Sequence, residues 1–115
     1  MSVEKARAHY IGKEGFAKLN CAQAILTAYK DRFNLSQEAI DKCGACGRGG
    51  APGGECGALY AARVIFGSAR PARVKACEDA LLAAGGSTLC AEIRAARKLS
   101  CVGCVTTIAA RIAKT

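Results

Sequence analysis

Cysteine is the residue type whose number and placement in this chain could do chemistry. Eight occur in 115 residues, at 21, 43, 46, 56, 77, 90, 101 and 104. Three of them lie among seven glycines in the fifteen-residue stretch CGACGRGGAPGGECG, residues 43–57. Glycine at that density makes a poor helix or strand, because each one loses more chain entropy on ordering than any other residue. Such a stretch suits a place where backbone must come close to a phosphate, a metal, a cluster or another thiol. The phosphate motifs are missing: there is no GxxxxGK[ST] and no GxGxxG that follows a strand and opens a helix. Gly47 and Gly49 have the spacing, but Pro52 stands where the third glycine belongs.

The elements that must position the sulfurs read as helices. Alanine dominates the apolar residues, tryptophan is absent and only two prolines occur; no long β-branched alternation appears. The expectation is one all-α domain over 1–115, a compact bundle of five or six short helices with one glycine- and cysteine-rich loop. A first helix is predicted over 3–19, weakened by Gly12 and Gly15. Asn20 caps a second, CAQAILTAYKDRF, in which Ala24, Ile25, Ala28 and Tyr29 form the apolar stripe. Ser36 caps the short QEAIDK. Beyond the loop, ECGALYAARVIFG ends at Gly67. Pro71 opens the next helix, with Val74, Cys77 and Leu81 on a core stripe and a stop at Gly85 or Gly86. Ser87 is the cap candidate for TLCAEIRAARKL, and Ser100 for CVGCVTTIAARIAK.

On that map Cys21, Cys56, Cys90 and Cys101 fall in the first turns of four helices. A first turn presents unpaired N–H groups and about half a positive charge. It therefore favours thiolate, the form that attacks disulfides and ligates metals. Converging helix starts would make a four-sulfur site inside a ring of N–H donors, suited to an iron–sulfur cluster. Cysteine also serves as a small core hydrophobe, which is the reading for Cys77. Two further chemistries stay open. The pairs Cys43/Cys46 and Cys101/Cys104 have CxxC spacing, which four-thiolate zinc sites use. Cys101/Cys104 at a helix start also reads as a dithiol, one thiol attacking and the other resolving. No CxxC is followed by histidine, so the covalent haem motif is absent, and His9 reads as a solvated side chain.

The net charge of +8 comes from scattered lysines and arginines without interleaved aromatics. That pattern argues against a nucleic-acid platform and for a basic surface that would suit an acidic redox partner. The N-terminus is charged from Glu4 and lacks a secretory core, and the longest uncharged stretches, 80–91 and 99–110, are too short to span a bilayer. A cytoplasmic setting is expected, where thiols stay reduced unless they are catalytic or bind metal. A site near the surface would leave room for an arrangement between subunits.

The run NCAQAIL at 20–26, the glycine-rich approach to CGA at 56–58, Cys90 before an apolar helix, and Cys101 with IAARI beyond it form one pattern. It resembles a family of small bacterial and archaeal proteins named for its C-GCAxxG-C-C pattern and described as redox-active. The resemblance extends over nearly the whole chain and places the family's four cysteines on Cys21, Cys56, Cys90 and Cys101. A related cysteine-rich segment occurs in split-Soret cytochromes, where it looks like an iron–sulfur site. This chain departs from the pattern in several places. Lys18 and Leu19 replace a usual glycine and tyrosine, Gly57 follows Cys56, Ala61 stands for the final glycine, and Cys43, Cys46, Cys77 and Cys104 are additional.

Overall fold

In a computed structural model, which describes residues 2–47 and 49–114, the chain forms seven α-helices and no named strand among those residues. They are α1 (Ser2–Ile11), α2 (Cys21–Ala28), α3 (Gln37–Asp41), α4 (Gly57–Phe66), α5 (Pro71–Gly85), α6 (Cys90–Ala96) and α7 (Cys101–Ala113). The all-α expectation holds, with seven short helices instead of five or six. α7 packs against α1, α4 and α5, and α2 packs against α1 and α4. The centre is apolar: Ile25, Leu26 and Tyr29 from α2 and its end, Leu59 from α4, Leu81 from α5, and Val105, Ile108 and Ile112 from α7 are all fully buried. Burial of each such aliphatic side chain stabilises the fold by about 1.5–3 kcal/mol. No helix among the described residues is long and apolar enough to cross a membrane.

Three helix ends depart from expectation, and with the first of them the reading of His9. The first helix stops at Ile11 instead of running to 19, because Gly12 adopts φ +71°, a left-handed conformation that ends the helix. The chain then folds back over the helix end. Leu19 N–H donates to the His9 carbonyl at 3.0 Å, and His9 Nδ1 bonds the Ala17 carbonyl at 2.8 Å. His9 also stands edge-on to Phe16, with ring centroids 5.2 Å apart, so it is a half-buried clip and not a solvated side chain.

The second helix ends at Ala28, not at Phe33. Leu35 N–H returns to the Lys30 carbonyl at 2.8 Å, and Asn34 takes a positive φ of 53°, so 29–34 is a series of turns. The third correction concerns α6, which is capped by Leu89 and not by Ser87. The Ser87 hydroxyl instead accepts from Leu89 N–H at 3.0 Å and bonds Glu92 Oε1 at 2.6 Å, fixing the turn that leads into the helix.

The other boundaries follow their sequence signals. Asn20, Ser36 and Ser100 accept from the N–H groups of Gln23, Ala39 and Gly103, satisfying donors that the first turn leaves unpaired. Gly67 ends α4, and Gly86, left-handed at φ +82°, ends α5.

Candidate functional site

The sulfur-rich end of the molecule is built by two devices. The first ties the approach to α4 against the approach to α6. Cys56 N–H donates to the Thr88 carbonyl at 2.8 Å, and Glu55 and Leu89 form an isolated antiparallel bridge. This places the starts of α4 and α6, and with them Cys56 and Cys90, side by side. An ion-pair network braces the same segment: Arg63 Nε lies 2.8 Å from Glu55 Oε1, and its other arm reaches Glu78 Oε2 at 2.8 Å.

The second device brings α2 against α4. Gly57, the first residue of α4, lies directly against Cys21, the first residue of α2. A Cβ at 57 would overlap Cys21 Sγ and stand 2.8 Å from the Cys46 carbonyl oxygen. Glycine at 57 is thus a steric requirement of this packing.

Cys21, Cys56, Cys90 and Cys101 consequently line one small cleft of about 30 Å³, together with Cys104, Tyr10, Gly57, Ile93 and Arg94. The four sequence-selected cysteines come from the starts of four different helices: Cys21, Cys90 and Cys101 are first residues, and Cys56 is the residue that caps α4. Their exposure is graded. Cys56 and Cys104 are buried at 5% each, Cys21 and Cys90 are half-buried, and Cys101 is exposed at the rim. The volume is far below the roughly 300–1,000 Å³ of a typical organic-ligand pocket, so the chemistry of this cleft belongs to its sulfurs.

Cys104 belongs to the cleft in its own right. One helical turn after Cys101, it lies on the same side of α7, and its thiol hydrogen-bonds Cys56. The structure therefore pairs Cys104 with Cys56, where the dithiol reading of the sequence pairs it with Cys101. That hydrogen bond, reinforced by the backbone N–H groups of Leu59 and Ala58 at the start of α4, lowers the Cys56 pKa to about 7 against the opposing effect of burial. Cys104 moves the other way. The bond to Cys56, burial and the neighbouring thiols Cys101 and Cys21 all hold its proton on.

The other cysteines lie apart. Cys77 is fully buried in the core with Val74 and Leu81, as its stripe predicts, and burial raises its pKa. Cys43 and Cys46 are neighbours in the turn that opens the glycine-rich stretch. No disulfide joins any of the eight. Among the described residues, no three Cys, His, Asp or Glu side chains stand close enough together to hold a single metal ion.

Sequence reasoning assigned Cys104 to a dithiol with Cys101 and missed its pairing with Cys56, which depends on the packing of α4 against α7. It also missed Tyr10 and Arg94, for which no local signal exists: the packing of α1 and α6 delivers them. Comparison with protein-family models, curated proteins and solved structures yields no match to this chain.

Proposed function

We propose that this chain is a small redox protein in which Cys21, Cys56, Cys90 and Cys101 hold an iron–sulfur cluster for electron transfer. The observation that carries this reading is the assembly of four thiols, from the starts of four helices, around one cleft. The donor set fits such a group in type. Thiolate is its usual protein ligand, and the helix-start N–H groups offset negative charge on sulfur. The cluster, when bound, supplies one-electron chemistry.

The chain's own residues supply the rest. Gly57 lets α4 approach Cys21, Cys104 donates to Cys56, and Tyr10 and Ile93 wall the cleft. Arg94 lines the cleft and, with Arg97, borders exposed Cys101. Together with the net charge of +8, these cations favour an acidic redox partner at the rim, and the reduced thiols that this reading needs call for a cytoplasmic setting.

The hydrogen bond between Cys56 and Cys104 favours a second, metal-free reading. In it the Cys56 thiolate attacks a partner's disulfide and Cys104 resolves the mixed disulfide. The chain gains a Cys56–Cys104 disulfide, and the partner's two sulfurs leave as thiols.

The deciding measurement is iron, sulfide and zinc in protein purified and reconstituted without oxygen. Iron with matching sulfide supports the cluster, and Cys56→Ser is then expected to reduce iron retention by about tenfold or more. No iron after reconstitution rejects the cluster and leaves thiol exchange. Zinc alone in stoichiometric amount, released by a chelator with unfolding, would mark a structural staple instead.

A further inference from the structure

Cys43 and Cys46 take no part in the cleft, yet their surroundings are built for chemistry of their own. Residues Lys42–Ala45 form a 3-10 turn closed by Cys46, whose N–H donates to the Cys43 carbonyl at 3.0 Å. A 3-10 helix has three residues per turn and a rise of about 2.0 Å per residue, so positions i and i+3 eclipse with α-carbons about 6 Å apart. That separation falls at the commonest α-carbon spacing of disulfides, about 5.5–6 Å. The two thiols are neighbours across this turn, close enough that Cys46 helps hold the Cys43 proton on.

The turn is held in this form from outside. The Asn20 side-chain amide donates to the Cys43 carbonyl at 2.8 Å and to the Gly44 carbonyl at 3.1 Å, while its oxygen caps α2 through Gln23 N–H. Gln23 Nε2 adds a bond to the Ile40 carbonyl at 3.3 Å, just before the turn. The pair is buried at 4% and 7%, but the residues between its members, Gly44 and Ala45, are exposed. One exposed turn therefore separates Cys46, the more accessible of the two, from solvent.

We propose that Cys43 and Cys46 form a second redox centre, a dithiol that closes to a disulfide by exchange with a low-molecular-weight disulfide. Cys46 sulfur, as thiolate, attacks one sulfur of the small disulfide. A bond forms between Cys46 and that sulfur, and the other half departs as a thiol. Cys43 then loses its proton and attacks Cys46 sulfur, expelling the second half as a thiol. The protein dithiol is oxidised by two electrons, the small disulfide is reduced to two thiols, and the two protons leave with them. Asn20 is a positioning residue, since it fixes the turn that keeps the sulfurs eclipsed.

The test uses the whole chain, reduced without oxygen and equilibrated across oxidised-to-reduced glutathione ratios, then alkylated and digested with trypsin. Cleavage after Lys42 and Arg48 places both cysteines in one six-residue peptide. The expected product is that peptide, lighter by two hydrogens and unalkylated, appearing as the ratio rises. Cys43→Ser is expected to trap glutathione on Cys46, because the resolving thiol is gone. Asn20→Ala is expected to move conversion to more oxidising ratios. A doubly alkylated 43–48 peptide throughout the range would overturn the proposal, as would a crosslink from either cysteine to one in the cleft. The wild-type digest decides this without any variant having to fold, and it does not depend on whether the cleft holds iron.

Discussion

Cys56 and Cys77 have similar burial, 5% and 0% exposed, and opposite acidity. Cys77 lies within α5, where backbone N–H groups are engaged in the helix. Burial raises its pKa, and the Arg111 cation only partly opposes this. Cys56 caps α4, where the N–H groups of Ala58 and Leu59 point at it and the Cys104 thiol donates to it. Its pKa falls to about 7 despite its own desolvation. Burial alone therefore does not distinguish a filler cysteine from a reactive one. The distinguishing feature is whether the fold aims donors at the sulfur, and helix starts do so by construction.

The largest expected effect is the contrast between these two thiols. At pH 8 a group of pKa about 7 holds about ten thiolates per thiol, whereas one raised above 9.0 holds fewer than about one in ten. The ratio should thus differ at least about hundredfold. Thiolate absorbance of metal-free, reduced protein is expected to lose a component titrating near pH 7 in Cys56→Ser. Cys77→Ser should leave that component in place. Folding lowers the Cys56 pKa, so its thiolate stabilises the fold above the ordinary thiol pKa, and that contribution is lost as pH falls through about 7. Equal titration of the two thiols would erase the distinction.

The next effect tests how the donors are held in place. Ala is a better helix former than Gly, and at an open helical site Gly57→Ala would add about 0.5–1 kcal/mol. Here the new methyl would overlap Cys21 Sγ and crowd the Cys46 carbonyl. The sign should therefore reverse to a loss of about 1–3 kcal/mol, as for other overpacked sites. Denaturant unfolding of the metal-free protein measures it. A gain in stability would mean that α2 and α4 do not approach as closely as the site requires.

The same contrast explains what the sequence made legible. Caps are local: Asn20, Ser36 and Ser100 are each followed by the N–H that they accept, so three helix starts and the positions of Cys21 and Cys101 could be read directly. The core stripe of Val74, Cys77 and Leu81 was legible for a similar reason, because periodicity lies within one helix. What escaped depends on distant segments. The early end of α1 is stabilised by 17–19 folding back onto His9, and the start of α6 by a bridge from Glu55 to Leu89. Pairing of Cys104 with Cys56 needs α4 and α7 to be packed first. Four cysteines at helix starts could be found from types and spacing, but their convergence on one cleft could not.

The smallest expected effect lies on the core side of the comparison. Tyr29 is fully buried just beyond α2, and its hydroxyl donates to the Ala109 carbonyl of α7. Burial raises its pKa, so the phenol remains a neutral donor across the physiological range. Tyr29→Phe keeps the ring, including its tilted contact with Phe33 at 5.8 Å between centroids, and removes only this bond. A buried neutral hydrogen bond contributes about 1 kcal/mol net, so the unfolding midpoint should fall by a correspondingly small amount. The Cys56 titration near pH 7 should stay where it is, because its donors belong to the first turns of α4 and α7, more than one helical turn before Ala109. A shifted Cys56 titration in this variant would mean that the core sets the acidity of the site through the placement of α7. The two regions would then be coupled parts of one device, and the contrast between Cys56 and Cys77 would have to be explained by the position of α7 as well as by the local helix start.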